Sequence, residues 1–143
     1  MMRVLISALL FFGAAVQADP TMLAAVNAAR ADQGRKPLVY SAQLEAAARA
    51  HGQDMATRGF FSHTGSDGSD IAARLRRVGY NYCFGAENIA AGQRSLDEVM
   101  TAWMKSRGHR KNILHRKARA VGIARTDGIA GSWYWRHPAE TGD

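Results

Sequence analysis

Gly85-Ala86-Glu87-Asn88-Ile89-Ala90 sets a carboxylate and a carboxamide side by side among small and apolar residues. The chain from Tyr80 to Gly92 reads as extended, and Asn88-Ile89-Ala90-Ala91 predicts a strand. Two other stretches share this character. Phe60-Phe61-Ser62-His63-Thr64 places one histidine after an aromatic pair, and Ser106-Arg107-Gly108-His109-Arg110-Lys111-Asn112-Ile113-Leu114 places another just after a glycine. Two imidazoles and one carboxylate can hold a zinc-like ion with a position left open. Spacing alone does not bring His63, Glu87 and His109 together.

Around these stretches the chain alternates helix signals with breaks. Met22, Val26 and Ala29 recur at helical steps, predicting a first helix from Pro20 to about Ala31 that Gly34 stops. Pro37 to Tyr40 reads as a short extended link. Ser41 is a suitable N-cap for a second helix to about Thr57, with Leu44, Ala47, Ala48, His51 and Met55 on its apolar stripe. A histidine on such a stripe is more often a satisfied core residue than a ligand, so His51 is left out of the site.

Ser62 to Asp70 is a polar loop without the ligand spacing or closing glutamate of a calcium loop. Asp70 caps a third helix with Ile71, Leu75 and Val78 on one face, and Arg74, Arg76 and Arg77 are assigned to its solvated faces. Ser95-Leu96-Asp97-Glu98 has the form of a capping box, which gives Glu98 a local role. Leu96, Val99, Met100 and Trp103 then form the core stripe of a fourth helix that Gly108 is expected to break. Ala120 to Ala124 and Ser132 to Trp135 read as two strands of a hairpin turned at Asp127-Gly128, with Pro138 ending the second and a loose tail beyond. Helices flanking a small, late, largely antiparallel sheet define an α+β layered domain.

The composition suits one globular domain: 143 residues, 47% apolar and 22% charged. The formal net charge of +7 favours anionic surfaces such as acidic polymers or lipid headgroups. The basic residues read as scattered and accompany no nucleic-acid-binding motif, so nucleic acid is not expected as a partner. Met1-Met2-Arg3, the apolar run Val4 to Val16 and the small side chains of Val16 and Ala18 form a secretory signal peptide, residues 1–18. The mature domain is then 19–143, exported to the periplasm or the extracellular space. Its apolar run is too short to span a bilayer, which takes about 20 residues, and no later segment is a candidate. The single cysteine, Cys83, excludes an internal disulfide and reads as a small buried filler.

Taken in order, these pieces resemble the CAP superfamily: cysteine-rich secretory proteins, antigen 5 and pathogenesis-related 1 proteins, whose domain is also called SCP. The resemblance is to its compact bacterial type. It rests on His51-Gly52-Gln53-Asp54-Met55-Ala56, Gly59 to Thr64, Gly85 to Ala90, Ala102-Trp103-Met104 and Gly108 to Leu114, completed by Val121 to Ala124 and Tyr134-Trp135. It covers about Thr21 to Trp135. It implies a three-layer α-β-α sandwich with a central cleft that holds two histidines and up to two glutamates, where several members bind zinc or another divalent ion. His63, Glu87 and His109 match the first histidine, the glutamate and the second histidine.

The resemblance therefore assigns His63, His109 and Glu87 as metal ligands, with Glu87 as a general base if the cleft is catalytic. The family's second glutamate falls at Ser106, which with Asn88 is assigned to ligand binding. No organic cofactor is implied. After Tyr134-Trp135 the chain reads Arg136-His137-Pro138 instead of the usual continuation, which predicts a shortened or frayed last strand.

Two functions compete. One is an exported ligand-binding or interaction module, its partner a lipid, a glycan, a wall fragment or a protein. The alternative is a metal-assisted hydrolase of peptides or cell-wall material, in which Glu87 accepts the proton of a metal-bound water. No His-Glu-x-x-His helix and no nucleophile elbow is present. Serine chemistry at Ser62 and thiol chemistry at Cys83 are disfavoured. A stress-related structural protein without a small ligand is a third reading.

Overall fold

The computed structural model describes residues 20–126 and the backbone of residues 131–137. The expected leader, the hairpin turn at Asp127-Gly128, Pro138 and the tail lie outside the described residues. The elements run α1 (Pro20–Ala31), β1 (Val39–Tyr40), α2 (Ala42–Arg58), α3 (Ile71–Arg77), β2 (Phe84–Ala90), α4 (Leu96–Lys105), α5 (Arg107–Ile113), β3 (Ala120–Arg125) and β4 (Gly131–His137).

The sheet order is β1-β3-β4-β2. β3 pairs β4 antiparallel, and β4 pairs β2 antiparallel in the register Glu87 to Tyr134. β1 pairs β3 in parallel, so the sheet is mixed at one edge. The α+β class and the small sheet agree with the sequence reading. The final strand is neither short nor frayed. It spans seven residues and lies between β3 and β2, so both its edges are hydrogen-bonded.

Strand alternation sends side chains to opposite faces. Val121 and Ile123 of β3 pack with Met22, Val26, Trp103 and Ile113, which come from α1, α4 and α5. Ala124 instead packs with Leu44, Ala47, Ala48 and Leu75 from α2 and α3. Between them Gly122 lets the first turn of α2 lie on the strand backbone. A Cβ there would come within 2.1 Å of Glu45 N and Leu44 C.

Local signals set most of the ends. Ser41 caps α2 by accepting from Leu44 N–H, and Gly59 closes it in the left-handed conformation at φ 68°. Asp70 caps α3 by accepting from Ala73 N–H. Ser95 caps α4, but the box is only half formed: the Glu98 carboxylate accepts from Arg94 N–H rather than from Ser95.

Four further expectations change. β2 begins four residues before the predicted strand and ends at Ala90, because Phe84 to Glu87 already pair with β4. The helix break falls at Ser106, not at Gly108. Ser106 has extended backbone, ends α4 and caps α5 by accepting from His109 N–H, while Gly108 lies within α5. Cys83 is exposed, since it sits just ahead of β2 outside the packed faces. Arg74 is buried, for a reason given below.

Candidate functional site

The site gathers at β2, whose neighbour in the sheet is β4 on one side only. Consecutive residues of β2 point to opposite faces, so Glu87 faces α2 and α3 while Asn88 faces α5. Both are buried. The other edge of β2 is covered by side chains. Trp103 Nε1–H donates to Ile89 O at 3.1 Å, and Asn112 Nδ2–H to Glu87 O at 3.5 Å. These donors satisfy carbonyls that an open edge would leave free.

Glu87 is the centre of a charge network. Its Oε1 accepts from His63 Nδ1 at 2.7 Å and its Oε2 from Arg74 Nη2 at 2.8 Å. A carboxylate only accepts, so His63 carries a proton on Nδ1 and turns Nε2 away from Glu87. The side chains of Glu87 and Arg74 are 3% and 5% exposed, whereas that of His63 is 60% exposed. Arg74 also donates to Ser69 O at 2.8 Å and to His63 O at 3.0 Å. One guanidinium thus neutralises the buried carboxylate and fixes the backbone of the loop that carries His63.

His51 completes this side. Its Nε2–H donates to Ser62 O at 2.8 Å and lies 3.9 Å from Glu87 Oε1. Its Nδ1 has no hydrogen-bond partner among the described residues. Burial holds His51 below the usual histidine pKa, against the smaller opposing pull of Glu87.

His109 arrives from α5 on the opposite face. Its ring stands edge to face with Trp103, with centroids 6.3 Å apart. Its pKa is lowered, first by burial and then by repulsion from His63, so the two imidazoles sense each other. Asn88 positions this helix. Its Nδ2–H donates to His109 O at 3.2 Å and its Oδ1 accepts from Asn112 Nδ2 at 2.9 Å.

The sequence-predicted residues therefore separate by task. His63 and Glu87 are in direct contact, whereas His109, carried by α5 on the other face of β2, is linked to His63 through charge repulsion alone. Asn88 lies wholly buried behind α5, and Ser106 Oγ is engaged as a helix cap. The sequence reading missed Arg74 and the contact of His51 with Glu87. The signal for Arg74 was present, since residue 74 falls at helical spacing between Ile71, Leu75 and Val78 on the apolar face.

No group of three His, Cys, Asp or Glu side chains among the described residues is arranged to hold a metal ion. Glu87 fits poorly as a ligand, because both its oxygens are engaged and a guanidinium lies 2.8 Å away. A cavity of about 300 Å³ lies behind the network between α2 and α3. Asp54, Asp67, Arg58 and Arg77 line it, and their charges pair as Arg58–Asp54 and Arg77–Asp67.

A small sheet with helices on both faces and a histidine–glutamate pair at one edge defines a CAP domain. The profile of the Cysteine-rich secretory protein family matches residues 23–135, and the chain belongs to that family. It is 40% identical over 97 residues to the uncharacterized protein YkwD of Bacillus subtilis (strain 168), covering 68% of this chain and 38% of that protein. An extracellular protein containing a SCP domain from Bacillus anthracis str. Ames superposes with a TM-score of 0.77 at 26% identity, over 81% of this chain and 39% of that one. An outer surface protein from Borrelia burgdorferi superposes with a TM-score of 0.76 over 82% of this chain and 91% of its own; at 19% identity the likeness is one of fold. The chain spans less than half the length of the two Bacillus proteins.

Proposed function

We propose that the chain is an exported ligand-binding module whose binding groups are His63 and His109 on either side of the β2 edge. One observation carries this reading: Glu87 is held by Arg74 and His63, so its charge orients a histidine instead of standing free as a base. What faces outward is the His63 imidazole, with Phe61 52% exposed beside it in sequence. An aromatic face next to imidazole hydrogen-bonding groups suits a glycan or wall fragment better than an acyl chain. The described cavity combines small apolar side chains, Ala47, Ala50 and Val78, with the Arg58–Asp54 and Arg77–Asp67 pairs, a mixed lining that suits a polar ligand at least as well as an acyl chain. Export is supported by the extracellular and outer-surface relatives and by the leader-like start of the sequence.

A second reading, a divalent ion, is favoured by the carboxylate–histidine pairing itself. Metal-ligating histidines commonly give their other ring N–H to a carboxylate, and His63 does so to Glu87. His63 Nε2 and His109 would supply two ligands, leaving the remaining positions to water or to the ligand. A bound ion would act as a Lewis acid there. As a base for metal-assisted hydrolysis of peptides or wall material, Glu87 would first have to leave one of its two partners.

Calorimetric titration of the metal-stripped chain with zinc, and separately with soluble wall glycan fragments, tests both readings. The control is His63→Ala/His109→Ala with folding checked by circular dichroism. Glycan binding lost in the variant supports the module. One-to-one zinc binding lost in the variant supports the ion. Glycan binding that survives both replacements would overturn the placement of the binding groups.

A further inference from the structure

The basic residues are not scattered. Seven of the 19 Lys and Arg residues fall between Lys105 and Arg119, a stretch that holds no Asp or Glu. We propose that this stretch, the outward face of α5 with the turns at its two ends, is a docking surface for the phosphate-bearing headgroups of an anionic lipid bilayer. At about 100° per residue, Arg107, Arg110 and Lys111 fall within an arc of roughly 100°, opposite His109, Asn112 and Ile113. The helix thus turns His109, Asn112 and Ile113 inward and its charges outward. Lys105, Arg107, Arg110, Lys111, Arg116 and Lys117 are all exposed.

None of these six pairs with a described carboxylate, whereas Arg49, Arg58 and Arg77 elsewhere each have an acidic partner. Like charges gathered without counter-charges repel one another and leave a strong local potential. The platform beneath is tied down. Arg30, fully buried in α1, donates to Ile113 O at 2.6 Å and to His115 O at 3.1 Å. Arg35 donates to Leu114 O at 3.0 Å. The turn carrying Arg116 and Lys117 is therefore held in place before any partner arrives.

The surface suits a bilayer better than a linear polyanion or an acidic peptide. Its charges spread over one helix face and two turns, with no described cavity among them; the described cavity lies between α2 and α3. Val39, 69% exposed, borders the patch through the bond from its N–H to Arg119 O, and offers an apolar side chain to the headgroup layer.

The test uses the chain from Asp19 onward, which contains every described element, in flotation with phosphatidylcholine vesicles with and without phosphatidylglycerol. Binding is expected only to the anionic vesicles, and should fall steeply between about 50 and 300 mM salt, since charges beyond about 10 Å are screened. Each basic residue at an anionic surface contributes about a fivefold partition. Arg107→Gln/Arg110→Gln/Lys111→Gln should therefore lower binding about a hundredfold. A charge-matched control, Arg58→Gln/Arg76→Gln/Arg77→Gln, should change it by less than about threefold. Equal losses in the two triple variants would reduce the effect to net charge and overturn the assignment. So would the absence of binding at the lowest salt, or full competition by a soluble polyphosphate at equal phosphate concentration.

Discussion

Replacing Arg74 with methionine removes the positive partner of a carboxylate that is itself 3% exposed. Among the described residues the arginine makes three charge-assisted contacts, to Glu87 Oε2, Ser69 O and His63 O. Removing one member of a buried ion pair leaves the other uncompensated, at a cost of about 3–5 kcal/mol. Against a total stability of about 5–15 kcal/mol, Arg74→Met should remove about a fifth or more. At a urea slope of about 1–3 kcal/mol per molar, the midpoint should drop by about 2 M. Glu87→Met alone should cost less, about 2–4 kcal/mol, because Arg74 keeps its two carbonyl partners. Arg74→Met/Glu87→Met removes both charges and should be more stable than the sum of the single losses by at least about 2 kcal/mol. Urea unfolding followed by circular dichroism and tryptophan fluorescence closes the cycle. Additive losses, or a loss under about 1 kcal/mol for Arg74→Met, would refute the claim that the pair is coupled and buried.

Gly122→Ala sets a methyl group against Glu45 N and Leu44 C at 2.1 Å. Restoring ordinary contact forces α2 back from the sheet by more than about 1 Å, so a loss of about 3 kcal/mol and a fall in Tm of about 10 °C are expected. An unchanged Tm would refute the close approach. Arg30→Met should cost about 2–4 kcal/mol by leaving the buried carbonyls of Ile113 and Ala118 and the part-buried ones of Lys36 and His115 without their donor. Arg30→Lys should recover little of that loss, because one ammonium lacks the planar fork. A fully stable Arg30→Lys, measured by urea midpoint, would count against it. Stability should also depend on pH. Burial holds His51 below its usual value of 6.5, and burial with His63 repulsion does the same for His109. The unfolded chain takes up these protons first, so stability is fully present above about pH 6.5 and declines as pH falls below it. Urea midpoints at about pH 7.5, 6.5 and 5.5 check this, and His51→Gln should flatten the decline.

Much of the fold was legible because its signals are local. A capping serine or aspartate begins α2, α3 and α4, and apolar residues at helical spacing follow in α1, α2 and α4. Local signals misled where tertiary contacts decide. Gly108 looked like a breaker, but Ser106 with its extended backbone separates α4 from α5, and a glycine is tolerated inside a short helix that is packed on a strand. Cys83 looked like core because cysteine usually is, yet its neighbours Tyr82 and Phe84 are the residues that pack against the core, and Cys83 is left exposed. Arg74 was the costliest misreading. Residue type outweighed position: an arginine was sent to solvent although its spacing placed it on the apolar face. Its reason for being there is Glu87, 13 residues away in sequence, which only the fold brings to 2.8 Å.

The same contact limits what Glu87 can do. A lone glutamate between two histidines reads as a third ligand or a base, and both roles need a free oxygen. In this chain Glu87 has none to spare, and the cation already beside it disfavours a second one. Its charge passes instead to His63, fixing the tautomer that turns Nε2 outward. His51 stands on the inner side of the carboxylate, buried and held to the His63 loop through Ser62 O. The loop is thus gripped at Ser62 by His51 and at His63 and Ser69 by Arg74, so a change at Glu87 is felt first as a movement of His63. Glu87→Gln keeps the shape but trades one acceptor oxygen for a donor amide. It should weaken any ligand or zinc affinity that depends on His63 while leaving His109 in place, since Asn88 and Asn112 hold α5 from the other face of the strand. Ring-proton NMR titration of the two histidines reads them separately. A displaced His63 signal beside an unmoved His109 signal is the expected result, and equal displacement of both would show that the two faces of β2 are not independent.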